Sequence, residues 1–547
     1  MKLKSISLVV IGVGILFSLY LQGQVADGVY FSGDGGLKAI LAKQLARGEL
    51  RFDLALPQAS WIQNLWNAGL YPYEEPYVYR VASKYYITFP YTFPLVTAPF
   101  YALFGYRGLY IIPLVSCWVT WIVFYLDCLK LKLNNLVTAL GLICLIFSSY
   151  LTIYSAMYWE HTGAVALAFS GLSLWFFFKN NLKQSTIKTI FSGILIGLAV
   201  WFRPELICVV VIMLGLAVIN IIYNRIPNVL LLNNKKLKFI IFPLEQQLVL
   251  AISLIFTVGA FFITNKIIYG YAVGIHGIQV VESVALSDRI WGSWQNFIAM
   301  SLSLAQYLPI VFIPILYLVF YLIQKLFLSR FTAIEFPLLY SIIYGAIIAY
   351  IIGVSLLVPV GTAGLIPGGK QWGVRFLLML VPVITLLATV QLQQLWKQQV
   401  IRYITIFTIV LLAAIGINQN VIEATKVLVK NNRVTAPVVD FLKTDPNKYI
   451  AISHQFVGQA IEAATVDEEV FFTVNTVPEI IQFTRALIEQ QQDSFTYICY
   501  PHRPCNLPQA TVTELQFKQA KNHYQIQLDR VGTFGKYPIY QGKITPR

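Results

Sequence analysis

Residues 193–219, GILIGLAVWFRPELICVVVIMLGLAVI, contain two long apolar runs separated only by Arg203, Pro204 and Glu205. Runs of this kind approach the roughly 20 apolar residues that a helix needs to cross a bilayer core about 30 Å thick. The whole chain has the same character, because hydrophobic residues make up 57% of its 547 residues and charged residues only 12%. Soluble domains are about 25% charged. The composition therefore excludes a soluble globular protein, and a mean hydropathy of +0.67 excludes a disordered chain.

About eleven apolar runs predict an α-helical polytopic membrane protein with about eleven transmembrane helices. The runs are 5–22, 109–127, 134–152, 160–178, 187–202, 206–223, 247–265, 306–324, 336–357, 374–391 and 402–418. A further run, 90–104, is short and interrupted by prolines, so it predicts a re-entrant or interfacial helix. The first run follows a short basic segment, and its length favours an uncleaved signal anchor over a cleaved signal peptide. The loop 267–305 is polar and aromatic and is expected outside the membrane.

The distribution of Lys and Arg predicts the orientation of the chain. If the N-terminus is cytoplasmic, the cytoplasmic loops carry a net charge of +12, the outer loops before residue 420 carry +2, and the tail carries +1. The total of +15 is therefore mainly a topology signal, and nucleic acid is not an expected partner. An odd number of spans places the tail outside the cytoplasm.

The tail, 421–547, has a different pattern from the rest of the chain. Strand-length apolar runs such as YIAIS (449–453) and VFFTV (470–474) are each followed by a helical pattern, which predicts a small α/β domain. Cys499 and Cys505 lie in this tail. In an oxidising compartment they are expected to form a disulfide, and the alternative is two unpaired thiols.

Asp34 lies just beyond the first run, in FSGDGGLKAILAKQLARGEL (31–50). The flanking glycines allow a tight turn, and residues 37–50 have helical apolar spacing. Asp34 is therefore expected near a helix N-terminus at the membrane surface. An acid there can cap the helix or act as a general base toward an acceptor hydroxyl, and the spacing alone favours the cap.

Charged residues beside span ends are candidates for function, because a charge at a helix centre costs roughly 2.5–3.5 kcal/mol on insertion scales. Glu160 and His161 are adjacent at the outer start of the fourth run. They could bind a cation, position a phosphate or simply begin a helix. Arg203 and Glu205 form the turn between the fifth and sixth runs. They could pair with each other, or Arg203 could face an anionic lipid head group.

Two further groups of outer residues are candidates for binding. Lys370 and Arg375 lie in IPGGKQWGVRFLLMLVPV (366–383), where two cations in a glycine-rich interfacial loop suit a phosphate, although they could also snorkel to water. Glu74, Glu75 and Lys84 lie in the tyrosine-rich first outer loop, 23–108, and rank second as an acceptor-binding loop. The sequence contains no P-loop, GxSxG, HExxH or zinc-type cysteine motif.

The outer-facing motifs together resemble the GT-C superfamily of integral-membrane glycosyltransferases, which includes the protein O-mannosyltransferases and the lipid A aminoarabinose transferases. The motifs are Asp34 after the first helix, FPLVTAPFYALFG (93–105), EHTGAVALAFSGL (160–172), GILIGLAVWFRPE (193–205) and GGKQWGVRFLLMLVP (368–382). The resemblance covers residues 1–420, which are expected to form a GT-C-like transmembrane domain that includes the first outer loop. Residues 421–547 are expected to form a separate extracytoplasmic domain.

The resemblance implies a reaction. Such enzymes take a sugar from a polyprenyl-phosphate carrier and pass it to a lipid, glycan or protein acceptor on the outer face of the membrane, here a bacterial inner membrane. An inverting transfer needs one base near the acceptor hydroxyl and cations for the departing phosphate.

The resemblance also implies roles for individual residues. Asp34 is expected to be the catalytic base, and Glu160, with His161 beside it, a catalytic residue that helps bind the donor or a metal. Lys370, Arg375 and Arg203 are expected to hold the carrier phosphate.

Relatives often have a second acid where this chain has Gly35, so a divalent cation held by Asp34, Glu160 and His161 stays only a possible cofactor.

Two rival functions come from other classes. A transporter or flippase for a polar lipid predicts ionisable residues near span centres and internal repeats, whereas the charges of this chain lie at span ends. A non-catalytic membrane scaffold with an outer binding domain leaves Asp34 and the basic outer loops without a role.

Overall fold

The structure is a computed structural model that describes residues 4–177, 182–225, 243–275, 277, 286–327, 336–358, 371–396, 399–509, 514–519 and 522–546. Its helices are α1 (Lys4–Gly23), α2 (Gly33–Ala46), α3 (Ser60–Leu65), α4 (Thr92–Phe104), α5 (Ile111–Lys130), α6 (Asn135–Ile146), α7 (His161–Phe177), α8 (Leu182–Phe202), α9 (Ile207–Arg225), α10 (Leu244–Tyr269), α11 (Leu286–Tyr307), α12 (Phe312–Phe327), α13 (Leu338–Leu357), α14 (Leu380–Trp396), α15 (Gln399–Ile417), α16 (Ala424–Leu442), α17 (Gln455–Thr465), α18 (Val477–Glu489) and α19 (Asn506–Gln509). Its strands are β1 (Val78–Val81), β2 (Lys84–Ile87), β3 (Tyr449–Ile452), β4 (Val470–Thr473), β5 (Ser494–Ile498), β6 (Glu514–Gln519), β7 (Asn522–Phe534) and β8 (Tyr537–Pro546).

The predicted polytopic membrane protein is confirmed. Among the described residues, six helical segments are long and apolar enough to cross a membrane, and five shorter apolar helices accompany them. Each of the eleven predicted runs overlaps one of these segments. The exact number of spans stays a prediction, because a helix such as the 12-residue α6 rises only about 18 Å.

The short run 90–104 forms α4, a helix of 13 residues with Pro99 inside it. At about 1.5 Å per residue, α4 alone covers about 20 Å and is too short for a bilayer core. Gly105, with φ of 58°, ends the helix before a turn leads into α5. The prediction of a separate short helix at this point is consistent with these bounds.

The segment 267–305 differs from the expected loop, because much of it is helical in α11. Ser293 and Asn296 are buried in this helix, whereas Trp291 and Trp294 are more than half exposed. The amide of Asn296 donates to the carbonyl oxygens of Ser355 and Val358 at 3.5 and 3.3 Å. The polar residues that suggested a loop therefore form the inward face of an amphipathic helix.

The described residues group into two compact units. Unit 1 comprises Met1–Gln22 and Ile112–Thr425, and unit 2 comprises Gly23–Ile111 and Lys426–Arg547. The predicted boundary near residue 420 lies close to the start of the second part of unit 2. The first outer loop, which the sequence assigned to the membrane domain, groups with the C-terminal segment instead, because α2 packs against α17.

Unit 2 contains a six-stranded mixed sheet with the strand order β4-β3-β5-β8-β7-β6. Strands β4, β3 and β5 are parallel to one another. The remaining neighbours, β5 with β8, β8 with β7 and β7 with β6, are antiparallel. Helices α17 and α18 follow β3 and β4 as the crossovers that parallel neighbours require. The tail therefore has the alternating α/β pattern that its sequence predicted.

Alternation along the strands builds two cores, one on each face of this sheet. Ile450 and Ile452 of β3 pack with Val457 and Ile461 of α17 in one core. The other core combines Ala451, Phe472 and Phe495 with α18 and with Ile62, Leu65 and Trp66 of the first outer loop. The segment after β5 contains a disulfide between Cys499 and Cys505, whose Cα atoms are 5.8 Å apart.

Candidate active site

Asp34 lies in the first turn of α2, directly after Gly33. Ser32 takes the N-cap position with an extended backbone, so Asp34 is not the cap. A carboxylate in the first turn still interacts favourably with the positive end of the helix dipole. The side chain is buried, with 5% of its surface exposed. The helix spans 33–46 instead of the expected 37–50, because Gly48, with φ of +86°, takes the left-handed conformation that commonly follows a helix end.

Helix α2 is buried continuously from Asp34 to Leu45. Its N-terminal glycines are needed for contact with α17, since a Cβ added at Gly36 would lie 1.9 Å from the backbone oxygen of Gln459. At Gly33 the added atom would lie 2.3 Å from the side-chain oxygen of the same residue. The glycines that the sequence assigned to a turn therefore allow two helices to pack closely.

Two side-chain amides connect the contact between α2 and α17 to Glu74 of the first outer loop. The Gln459 amide donates to Gln455 Oε1 at 3.0 Å, and the Gln455 amide donates to Glu74 Oε1 at 3.0 Å. Glu75 and Lys84 are exposed, and Lys84 begins β2 opposite Val81. Of the three acceptor-loop candidates, Glu74 is thus the one that the described contacts tie to the packing of α2.

Sequence reasoning missed Lys38 of α2. It lies one helical turn after Asp34, so both side chains share one face of the helix. Lys38 is 1% exposed, and its Nζ lies 4.3 Å from the centre of the Phe89 ring. The available signal was a lysine inside the apolar run GLKAILA (36–42). Lys38 is therefore a buried lysine on the same face of α2 as the candidate base.

Unit 1 holds Glu160, Arg203 and Glu205 in one buried ion cluster. Arg203 Nη1 lies 2.9 Å from Glu160 Oε1, and its Nε and Nη2 lie 2.6 and 2.5 Å from Glu205 Oε1. Glu160 is completely buried, and the other two side chains are less than a tenth exposed. The pairing of Arg203 with Glu205 is thus present, and Glu160 joins it. One cation between two carboxylates leaves the cluster with a formal charge of −1.

The backbone that carries Arg375 is held by three buried tyrosines. Alternate carbonyl groups accept from their hydroxyls, in the bonds Tyr154 to Trp372 (2.9 Å), Tyr150 to Val374 (3.1 Å) and Tyr350 to Phe376 (3.2 Å). Gly373, with φ of +67°, lies against the Tyr150 ring, where a Cβ would be 2.6 Å from ring atoms. Only glycine fits this turn. The backbone of the glycine-rich interfacial segment is therefore fixed from Trp372 onward.

Aromatic rings connect Arg375 to the ion cluster. The guanidinium carbons of Arg203 and Arg375 lie 5.3 and 5.1 Å from the centre of the Phe376 ring. Arg375 also lies 5.6 Å from the Trp159 ring, which is 5.2 Å from the ring of His161. Unit 1 thus brings Glu160, His161, Arg203 and Arg375 close to one another, and their role in one functional site stays a prediction. Lys370 lies outside the described residues.

The cluster does not have the donor arrangement of a metal site. Divalent cations bind carboxylate oxygens that face one another across a vacant position, but here the Arg203 guanidinium takes that position. Within the part of the chain that the structure describes, no group of three or more His, Cys, Asp or Glu side chains could hold a metal ion. The buried ion cluster of Glu160, Arg203 and Glu205 therefore does not fit a divalent cation.

Comparison with known proteins shows the fold. No protein-family model matches the chain, and no curated protein matches it. The chain is similar to the crystal structure of ArnT from Cupriavidus metallidurans bound to undecaprenyl phosphate, with 10% identity, a TM-score of 0.55, and coverage of 98% of this chain and 97% of that chain. The apo form of that protein gives a TM-score of 0.53.

A second similar structure is the apo oligosaccharyltransferase of Archaeoglobus fulgidus, with 12% identity, a TM-score of 0.50, and coverage of 90% of this chain and 69% of that chain. Both neighbours have the membrane fold that the resemblance to the GT-C superfamily predicted. At these identities the likeness establishes the architecture and assigns no residue. The chain therefore shares the fold of these two structures over nearly its whole length.

Proposed function

We propose that the protein is a membrane glycosyltransferase that moves a sugar from a polyprenyl-phosphate-linked donor to a lipid, glycan or protein acceptor. The observation that carries this proposal is the likeness to ArnT along 98% of the chain, in a structure where ArnT holds undecaprenyl phosphate. The fixed cation Arg375 and the buried acid Asp34 supply the two chemical groups that such a transfer needs.

In the proposed reaction, Asp34 takes the proton of an acceptor hydroxyl as that oxygen attacks the anomeric carbon of the donor. The bond between this carbon and the phosphate oxygen breaks, and its electron pair leaves with the polyprenyl phosphate. A single displacement of this kind inverts the anomeric centre. Arg375 stabilises the charge that develops on the leaving phosphate, because a preorganised guanidinium can donate two hydrogen bonds to it.

Arg203 was a candidate for direct phosphate binding, and its contacts support a different role. Arg203 Nε and Nη1 already donate to two carboxylates, which balance its positive charge before a phosphate binds. We propose that Arg203 acts as a positioning residue that holds Glu160 in place beside His161. Glu160 and His161 would then hold the donor. Lys370 stays a proposed second cation for the phosphate.

We further propose that the N-terminus is cytoplasmic and that the C-terminal segment of unit 2 lies outside the cytoplasm of a bacterial cell. The excess of Lys and Arg on one set of loops supports this orientation. The disulfide between Cys499 and Cys505 also supports it, because disulfides persist in oxidising compartments. The orientation places donor and acceptor on the outer face of the membrane.

The test is bond cleavage in the donor. The purified protein in lipid nanodiscs is incubated with a panel of undecaprenyl-phosphate sugars and an envelope extract as the acceptor source, and free undecaprenyl phosphate is measured by mass spectrometry. A glycosyltransferase releases it from at least one donor. A transporter or a scaffold leaves every donor intact, and that result would overturn the proposal.

Arg375→Gln tests the phosphate site in the same assay. Loss of a hydrogen-bonded charge pair is expected to weaken donor use by about 10- to 100-fold. Arg402→Gln is the matched control, because Arg402 is an exposed arginine of unit 1 that stacks on Trp396 at 4.8 Å. Equal effects of the two substitutions on donor use would show that Arg375 does not bind the donor phosphate.

A further inference from the structure

A cavity of about 220 Å³ lies within unit 2. The C-terminal half of α2, the segment 49–57, and the chain from Glu462 to Phe471 contribute to its lining. Arg47 and Glu49 at its edge are exposed, so the cavity is open to the surroundings of unit 2. At about 30 Å³ per water molecule it has room for roughly seven waters, which is the space that one monosaccharide needs.

Glu469 lines this cavity with a buried carboxyl group whose hydrogen-bonding capacity is unfilled. The residue is 6% exposed, and neither carboxyl oxygen has a hydrogen-bond partner among the described residues. Burial raises the pKa of Glu469 to about 8, and the nearby Thr465 hydroxyl offsets this only in part, without meeting hydrogen-bond geometry. A buried polar group without a partner costs free energy. A ligand in the cavity would supply the missing partner.

The other buried polar groups of the lining already have partners. Tyr73 donates its hydroxyl hydrogen to Glu462. Lys43 Nζ donates to the Ala463 carbonyl at 3.0 Å and to the Tyr106 hydroxyl at 3.2 Å. The Gln44 amide holds the segment 51–55 through three hydrogen bonds of 2.8 to 3.2 Å. These contacts fix the walls, so the cavity is preformed and its open hydrogen-bonding capacity is concentrated at Glu469.

The charges of the lining select the class of ligand. Lys43 and Arg47 oppose a small cation, and Asp467 pairs with both of them, so their charge is already balanced before an anion could bind. Burial also raises the pKa of Glu462 to about 7, so near neutral pH both carboxyl groups can donate as well as accept. A neutral ligand with many hydroxyl groups can accept hydrogen bonds from these carboxyl groups and donate hydrogen bonds to them.

Aromatic residues complete the lining. Trp66, Tyr71 and Tyr73 line one part of the cavity, and Trp66 is fixed by a hydrogen bond of 3.1 Å from its Nε1 to the Phe471 carbonyl. A fixed aromatic ring offers an apolar face to the C–H groups of a sugar ring at low entropic cost. The cavity therefore combines an apolar aromatic wall with hydrogen-bonding carboxyl groups, and a pyranose needs both.

We infer that this cavity binds one neutral sugar residue, whose hydroxyl groups hydrogen-bond to Glu469 and whose ring packs on the wall formed by Trp66, Tyr71 and Tyr73. Binding within unit 2 does not require the transfer reaction. A second assignment, that the bound sugar is part of the acceptor glycan, rests on the proposed function.

The test is saturation-transfer-difference NMR on the full-length protein in nanodiscs, without any lipid-linked donor. The probes are D-glucose, D-galactose, D-mannose, N-acetyl-D-glucosamine and D-arabinose. At least one sugar is expected to give a saturable signal with the wild type. Glu469→Leu is expected to weaken that affinity by about tenfold. Glu469→Gln is expected to stay within about threefold, because its amide keeps a neutral donor and acceptor.

Glu468→Leu is the matched control, because Glu468 is the adjacent residue, is exposed, and does not line the cavity. Its affinity is expected to equal that of the wild type. The inference is overturned if no probe sugar gives a saturable signal, or if the two leucine variants bind equally well. Thermal melting of each variant confirms that a loss of binding is not a loss of folding. Since the readout uses no donor and no turnover, its failure is separate from failure of the transfer assay.

Discussion

Replacing Arg203 by methionine is expected to destabilise unit 1 strongly. The guanidinium lies within 2.9 Å of Glu160 and within 2.6 Å of Glu205, and all three side chains are buried. Without the cation, two buried carboxyl groups share a site and lose the counter-charge that lies between them. Removing one partner of a buried ion pair costs about 3–5 kcal/mol. At roughly 2–4 °C per kcal/mol for a large domain, the melting temperature should fall by about 10 °C.

A thiol-reactive fluorogenic maleimide measures this loss in unit 1 specifically. The four free cysteines are all buried and all belong to unit 1: Cys117, Cys128, Cys144 and Cys208. The two cysteines of unit 2 are in a disulfide and do not react. Heating in the presence of the dye therefore reports the opening of unit 1.

Two further variants decide whether the ion cluster is the cause. Arg402→Met removes an exposed arginine of unit 1 and is expected to melt within about 2 °C of the wild type. Adding Glu160→Gln and Glu205→Gln to Arg203→Met removes the uncompensated charges and should restore at least half of the loss. An Arg203→Met protein that melts with the Arg402→Met control would refute the reasoning.

Three more outcomes follow from the structure. Gly36→Ala places a methyl group 1.9 Å from a backbone oxygen of α17 and should lower the melting temperature of unit 2 by several degrees, whereas Gly259→Ala, which meets no atom within 4 Å, should not change stability. Because burial raises the pKa of Glu462 to about 7 and that of Glu469 to about 8, the folded state holds extra protons between their usual pKa near 4.5 and these values. Stability should therefore fall as the pH rises from 5 to 8, and Glu469→Gln should stabilise the protein more at pH 8 than at pH 5; a difference independent of pH would contradict this. EDTA is expected to leave donor cleavage within twofold, because Arg203 already supplies the positive charge between the buried carboxylates, and a loss restored by Mg²⁺ or Mn²⁺ would contradict that.

The membrane helices could be predicted from the sequence because each depends on residues that are neighbours in the chain. A run of about 20 apolar residues has few stable places other than a helix in a bilayer, and each predicted run overlaps a helix. The strand-length runs of the tail are equally local signals, and β3 and β4 lie where YIAIS and VFFTV occur.

The grouping of the first outer loop with the tail could not be predicted, because it depends on contacts between distant residues. Gly36 meets Gln459, and Glu74 meets Gln455. No periodicity in either segment encodes its partner. The glycines had an adequate local interpretation as a turn, and only the three-dimensional contact shows why a side chain is excluded.

The candidate site was predictable in part for the same reason. Arg203 and Glu205 are two residues apart, so their pairing could be foreseen. Glu160 joins them only through the packing of the helices that carry it and Arg203. Likewise, Arg375 was visible as a cation, but the tyrosine hydroxyls that fix its backbone come from residues far away in the chain. Lys38 had only the weak signal of a lysine inside an apolar run, and the sequence around Glu469 has no pattern that marks it as buried.

The most direct test of the central claim is the rate of donor cleavage by Asp34→Asn compared with Asp27→Asn. Both substitutions remove a carboxylate from unit 2, but Asp27 is half exposed and pairs with Arg107 at 3.0 Å. Loss of a general base typically costs about 10²- to 10⁴-fold. The rate is expected to fall at least 100-fold for Asp34→Asn and to stay within twofold for Asp27→Asn. A folded Asp34→Asn protein that cleaves the donor at the wild-type rate would contradict the proposed mechanism.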